Sequence, residues 1–589
     1  MYQQHYYVPK ATGTLTDTLL AFGAVTVIHR YMQPHLHEEE VTLRDGGGYF
    51  LIDAGAPVRE EWLEDGWEQQ MFRFVVTAKN KVPDDLAPLA ASRSVDETWK
   101  EFNRYQELRK QLRDEKLAND EIEQALEDSK PEPDWTVVTY LGDYRMQAQA
   151  IHNKLSEQWM RTNAQFPGLN LRTVFELFSS PMADWDAIAE GWKKEVGKSG
   201  FNHMVTASQL FNPHMGKGQN RAKANKLTMG NENVFWLLEF LKAVGLWEAA
   251  VPTINAGVRK TYILAPHEIE INRHQQIFRR FRNRLWNEGV VKQDIMASLL
   301  YAEALLEQSI EDDETDIFGD GGISNVVNGM GVATYQLLSA NSYTMMNLAF
   351  LGLPDWMPGI RTSEDARQYV AILQEHRERI RNIDENRSEG YALLQLYRDF
   401  LSGNYLAPFY EFLAGYSSYL TSALNRSRFY VKPFSEKYLR RLFKMTNPAL
   451  APLLEDEGFR NIAYAIRMST LVPLYLGRST SRFDIRYGLG QDLMRKAQYE
   501  DDFIQVLSEF MQSYNDESMR VYERTKGAAR RKLITTQDIE SVVKLVDEHG
   551  SKTVCNLLVA FGYARDPREQ TEEGAEQAGE TDESVTQEP

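Results

Sequence analysis

At 589 residues, 43% of them hydrophobic and 25% charged, the chain has the composition of a globular protein large enough for several domains. Its net charge of −18 argues against a protein coated in nucleic acid, so a polyanion would have to meet local basic patches on an acidic body. The single cysteine, Cys555, excludes an internal disulfide and a cysteine-built zinc site, and its apolar neighbours predict a small core residue.

In chain order, Met1–His5 lacks a basic region followed by an apolar run, so no signal peptide is expected. The Thr12-Gly13-Thr14 turn predicts a helix from Thr14 to Arg30. Val41–Arg44, Asp45–Gly48 and Tyr49–Ile52 predict a hairpin around a glycine-rich turn. Phe72–Val76 and Trp135–Tyr140 predict strands, with a charged helix over Ser94–Ser129 between them. A helix is expected at Asn233–Val244 and a strand at Arg259–Leu264, ended by Pro266. Beyond about residue 360 the strand signal fades. Phe503, Val506, Leu507, Phe510, Met511 and Tyr514 fall at helical spacing. Thr535 and Asp538 offer a capping box for a helix that Gly550 stops, and a last helix covers Ser551–Phe561. The expected architecture is an α+β N-terminal domain of mixed helices and antiparallel strands over 1–370. An all-α helical-bundle C-terminal domain over 371–565 follows. The tail 566–589 is acidic and expected to be disordered.

The most informative stretch is Val196–Asn231. It contains no carboxylate, in a chain where 84 of 589 residues are Asp or Glu. Its cations are Lys198, Lys217, Arg221, Lys223 and Lys226, among Asn, Gln and the glycines Gly216 and Gly218. Such side chains donate to phosphate oxygens and base edges, and glycine lets backbone approach closely. An ordinary polar loop is the bland alternative. A second basic feature, Arg273, Arg279, Arg280, Arg282 and Arg284, has no acid from Ile271 to Asn287. Ile277, Phe278, Phe281 and Leu285 form its apolar stripe. Further cations cluster at Arg478, Arg482, Arg486, Arg495 and Lys496, and at Arg520, Arg524, Lys526, Arg530, Arg531 and Lys532. Each cluster alone reads equally as a strand-tracking surface or a solvated face.

Catalytic motifs are sparse. Gly197-Lys198-Ser199 ends like a phosphate loop, but Trp192 stands where glycine is required. Val543–His549 mimics a helicase acidic motif without a phosphate loop to serve. His35, His37 and Glu38 have chelating chemistry without an HExxH frame, and no GxSxG elbow exists. No cofactor is expected.

The order of several pieces resembles the large subunit of the type I CRISPR interference complex, Cascade, most like its I-A/I-B-type branches. They are Thr12–Asp17, the Phe211–Lys226 loop preceding Phe235–Lys242, Tyr487–Leu493, Leu507–Phe510, Thr535–Asp538 and Leu557–Arg565. The resemblance spans about residues 10–565. It implies a non-enzymatic, cytoplasmic subunit that contacts the guide RNA (crRNA) ribonucleoprotein and reads the protospacer-adjacent motif (PAM) in double-stranded DNA. The helical C-terminal part resembles the small subunit that steadies the target and displaced strands.

Carried onto this sequence, Lys217, Gln219, Asn220, Arg221 and Lys223 are the first candidates for PAM or guide-RNA contact. Lys79, Asn80 and Lys81 are the second, and both loops stay open as the one that enters the groove. Arg273, Arg279, Arg280, Arg282 and Arg284 suit DNA backbone; Arg495, Lys496, Arg530 and Arg531 suit single strands. The implied partners are the Cascade backbone subunits, the subunit capping the guide 5′ end, and a helicase–nuclease or transposon targeting proteins. A small subunit is also implied; that it is made by internal translation of the same gene, from Met445 or Met468, is a further hypothesis, and no membrane is involved. Rival readings are a metal-dependent nuclease on His35, His37 and Glu38, and a helical scaffold without nucleic-acid contact.

Overall fold

The computed structural model describes residues 2–37, 39–63, 70–76, 82–90, 95–115, 117, 119–126, 129, 146–212, 233–255, 257–285, 288–339, 342–354, 356, 359–402, 406–476, 483–527 and 530–566. The chain divides into two compact units, Met1–Arg377 with Tyr397–Tyr405, and Glu378–Leu396 with Leu406–Pro589. The N-terminal part mixes helices with antiparallel strands and the C-terminal part is helical throughout its described residues, which is the expected fold class.

Among the described residues of the first unit the strands are β1 (His5–Pro9), β2 (Thr42–Asp45), β3 (Tyr49–Asp53), β4 (Met204–Val205), β5 (Val234–Phe235), β6 (Ala250–Asn255), β7 (Val258–Pro266), β8 (Glu268–Glu270), β9 (Val327–Ser339) and β10 (Ser342–Leu351). One antiparallel sheet has the order β1-β3-β2-β8 and another β10-β9-β7-β6; β4 and β5 form a separate pair. The β2–β3 hairpin turns where the glycine run predicts it.

The helix Leu15–Met32 begins as its sequence dictates. Thr14 Oγ1 accepts from the Thr16 amide, and the buried Asp17 carboxylate accepts from the Thr12 amide at 3.1 Å and the Thr12 hydroxyl at 2.8 Å. Gly13 supplies the positive φ (62°) of the turn. The Thr12–Asp17 motif is thus a helix start built from its own side chains. The helix packs against Trp236–Ala249, and Leu19, Val75, Leu246, Ala250 and Ile263 close a core cluster beside it.

Phe72–Val76 does not form the expected strand. It makes one bridge, Phe74 to Ala90. The amide and carbonyl of Val75 are instead satisfied by the Asn153 side chain, at 2.9 and 2.8 Å. A carboxamide presents one donor and one acceptor, as a neighbouring strand does, so the extended segment needs no sheet. The expected strand at Trp135–Tyr140 lies outside the described residues.

In the second unit, the capping box at Thr535 and Asp538 and the stop at Gly550 are both present. The helix Ser551–Gly562 is almost wholly buried, with Phe561 ringed by Phe443 and Phe459 at 6.1 and 5.7 Å between centroids. Cys555 is a buried core residue, and desolvation pushes its thiol up to about 12. No helix among the described residues is long and apolar enough to cross a membrane.

Candidate nucleic-acid interface

The first-choice loop residues Lys217, Gln219, Asn220, Arg221 and Lys223, and the second-choice Lys79, Asn80 and Lys81, lie outside the described residues. The described flanks of the longer loop are nonetheless informative. β4 and β5 pair Met204 with Phe235 and Val205 with Val234, and Thr206 Oγ1 donates to Asn233 Oδ1 at 2.7 Å. Phe211 packs against the Leu19, Val75 and Leu246 cluster with Lys242 5.7 Å from its ring, and Asn233 leads into β5, so both described flanks are held by the first unit. The second flank is anchored by Phe235 and Trp236, both packed on the buried Trp192.

The arginine-rich stretch is a helix, Ile271–Arg284, with Ile277, Phe278 and Phe281 buried as the periodicity predicts. Its charge, however, is largely answered from the same unit. Arg273 pairs with Asp312 at 3.2 Å and with Glu314. Arg280 pairs with Glu307 at 3.5 Å and Glu311 at 2.7 Å, and Arg284 with Glu307 at 2.7 Å. These acids stand on or just after the helix Val291–Asp312. Arg282 lies over Trp247 and Phe278, 4.9 and 4.8 Å from their centroids, and donates to the Trp247 carbonyl. His274 adds no charge: it is buried against the Glu248 carbonyl, and desolvation lowers its pKa to about 4. Arg279 is exposed and has no ion-pair partner among the described residues.

This separates the five arginines by experiment. Arg279→Ala should leave stability within about 0.5 kcal/mol yet weaken duplex binding and flatten its salt dependence. Arg280→Ala should cost up to about 1 kcal/mol of stability, read by urea unfolding, and change binding less.

In the second unit, Arg495 and Lys496 end the helix Leu489–Lys496 and are exposed, paired locally with Asp492 at 3.0 Å and Asp502 at 3.3 Å. Arg530 is exposed and has no ion-pair partner among the described residues. Arg531 is different. Its side chain is fully buried, with the guanidinium 3.4 Å from the Phe483 centroid and paired with Glu517 at 3.2 Å. That burial removes Arg531 from the strand-contact candidates, because no guanidinium edge reaches solvent.

A further cationic surface of this unit escaped the sequence reading. The segment Asn425–Ser435 contains no acid, and it exposes Phe429 and Tyr430 beside Arg426 and Arg428. The signal was there, as cations interleaved with aromatic rings, but it is only a few residues long.

The three chelation candidates are only partly described. His35 stacks on Trp62 at 4.1 Å with the rings parallel within 1°. Glu38 lies outside the described residues, and among those described no three His, Cys, Asp or Glu side chains converge on a metal position. Neither a protein-family model nor a curated protein matches the chain.

Proposed function

We propose that this chain is the non-catalytic large subunit of a type I CRISPR RNA-guided surveillance complex. It recognises the PAM in double-stranded DNA, supports R-loop formation and recruits a downstream effector, either a helicase–nuclease or transposition proteins. The observation that carries the reading is the acid-free stretch Val196–Asn231, whose described flanks are held on the first unit by the β4–β5 pair and by Phe211. In a chain of net charge −18, a 36-residue stretch without a carboxylate, flanked by folded residues of the first unit, suits contact with a polyanion. The α+β-then-helical order and the motif order agree with the resemblance.

Co-purification of the tagged chain with the products of neighbouring genes, followed by RNA extraction, tests the reading. A multi-subunit particle carrying a discrete guide RNA is expected; a clean monomer without RNA overturns it. Within such a particle, Gln219→Ala or Arg221→Ala should cost about 1–3 kcal/mol and relax PAM preference. Lys217→Ala should weaken all duplexes alike and lower the salt slope by about 1. Fluorescence anisotropy with PAM-variant duplexes reads both.

The small subunit belongs to the same proposal. Met445 and Met468 fall within the helices Glu436–Thr446 and Glu457–Ser469, so either product would begin inside a helix of the second unit. Mass spectrometry of the native complex tests for it.

A further inference from the structure

The helix Ala407–Asn425 ends in a turn where Ser427 takes a positive φ of 57° and the Arg426 and Arg428 amides donate to the Ala423 carbonyl. Beyond it Val431 is buried, which pushes Phe429 and Tyr430 outward, 52% and 46% exposed. Arg426 and Arg428 have no ion-pair partner among the described residues, whereas Lys432 is paired with Glu378 at 3.0 Å. Tyr475 extends the surface, 6.4 Å from Phe429, with the Arg565 guanidinium 4.9 Å above its ring. Unpaired guanidinium groups beside exposed rings, on a segment without a carboxylate, make a receptor for an anionic, flexible ligand.

The chain carries such a ligand at the same place. The Arg565 amide donates to the Phe434 carbonyl at 2.9 Å, and the Asp566 carboxylate accepts from the Lys437 amide at 3.1 Å. The polypeptide therefore leaves this unit at the end of the same loop. The segment that follows, Glu569–Pro589, has eight acids and no base. Six extended residues, Pro567 to Glu572, reach about 20 Å, and they follow Arg565, whose guanidinium lies over the Tyr475 ring that stands 6.4 Å from Phe429. Tethering gives a local concentration on the order of millimolar, enough for a contact too weak to form between separate molecules.

We propose that the acidic segment Glu569–Glu588 docks within its own chain on the surface formed by Arg426, Arg428, Phe429 and Tyr430. It covers a surface that other polyanions would otherwise use. This goes beyond the guide-RNA reading and does not depend on it.

The test uses the full chain. Cys555 is buried, so Ser584→Cys offers one accessible thiol for a benzophenone cross-linker. Irradiation followed by peptide mapping should place the cross-links on residues 425–432. Arg426→Glu with Arg428→Glu should lower that yield roughly five- to tenfold, the size of two exposed pairs lost and reversed, and high salt should lower it too. Glu572, Glu573 and Glu576 changed to Gln should lower it likewise without touching the folded unit. Cross-links spread over the chain, or indifferent to both sets of changes, overturn the proposal. So does a tail that maps elsewhere while the arginine reversals weaken binding of a labelled single-stranded oligonucleotide, which would assign the surface to nucleic acid. A particle without RNA would sink the surveillance reading and leave these outcomes untouched.

Discussion

Gly23→Ala should destabilise the first unit by about 3 kcal/mol or more, at the upper end of overpacking costs. A Cβ on Gly23 would lie 1.8 Å from the Leu241 carbonyl oxygen, and one on Gly245 would lie 1.8 Å from that of Leu19. The helices Leu15–Met32 and Trp236–Ala249 thus meet backbone to backbone at two reciprocal glycines. No rotamer relieves the clash, because the obstructing atom is main chain, so the helices must separate and open the core around Leu19 and Leu246. Gly245→Ala should cost a similar amount. The double variant should cost less than the sum, because one separation relieves both contacts. Gly191→Ala is the control: it sits exposed in the helix Trp185–Val196 with nothing within 4 Å of its added Cβ. Removing glycine's extra chain entropy there should stabilise by roughly 0.5–1 kcal/mol. Urea unfolding followed by tryptophan fluorescence measures all four. Equal effects of Gly23→Ala and Gly191→Ala would contradict the close approach.

The same close approach marks the limit of what could be read from the sequence. The start of the helix at Thr14 was legible, because a cap acts over three residues. So were the capping box at Thr535 and the stop at Gly550. That Gly23 and Gly245 touch opposite backbones was not, since nothing local separates such a glycine from a tolerated one. The long β9–β10 hairpin went unread for a related reason. From Met330 to Ala333 consecutive residues are buried, so β9 is covered on both faces and shows no alternation. Phe72–Val76 gave the opposite error, an extended run whose backbone is met by the side chains of His152, Asn153 and Ser156 rather than by neighbouring strands.

Charge was read with the same bias. The helix Ile271–Arg284 lacks acids in its own sequence, and a local view finds five free arginines there. Glu307, Glu311, Asp312 and Glu314 answer three of them from the antiparallel neighbour and the turn after it. The hydrogen bond from Arg280 even holds the Glu311 carboxyl below its ordinary range. A basic run seen in sequence is therefore a statement about one helix, and the exposed cations left after pairing are the ones to test against DNA. By that measure Arg279 and Arg530 gain weight over their neighbours.

Arg531→Ala is expected to cost the second unit about 3 kcal/mol, the lower end for orphaning a buried ion, with no selective loss of strand binding. The Arg531 side chain has no exposed surface and Glu517 has 8%. Phe483 and Tyr514 lie 3.4 and 4.8 Å from the guanidinium carbon, and Nη1 donates to the Met468 carbonyl at 3.0 Å. Desolvation lowers the guanidinium pKa, and Glu517 only partly offsets that. The 3.2 Å approach of Nη2 to Glu517 is an ion pair without hydrogen-bond geometry. Glu517 in turn accepts from the Asp484 amide at 2.7 Å and from Arg486 at 3.3 Å, so it ties three segments together. Alanine at 531 empties the aromatic slot but leaves Glu517 its ion pair with Arg486 and the Asp484 amide, which is why the loss stays near the lower bound. Arg531→Met with Glu517→Gln should recover much of it, because the slot is refilled and the buried charge is removed along with its partner. Arg530→Ala, one residue away and exposed, should leave stability within about 0.5 kcal/mol and weaken oligonucleotide binding instead. If Arg531→Ala proves as stable as the parent and loses strand affinity, the side chain must leave its slot to meet nucleic acid, and its place among the strand contacts would be restored.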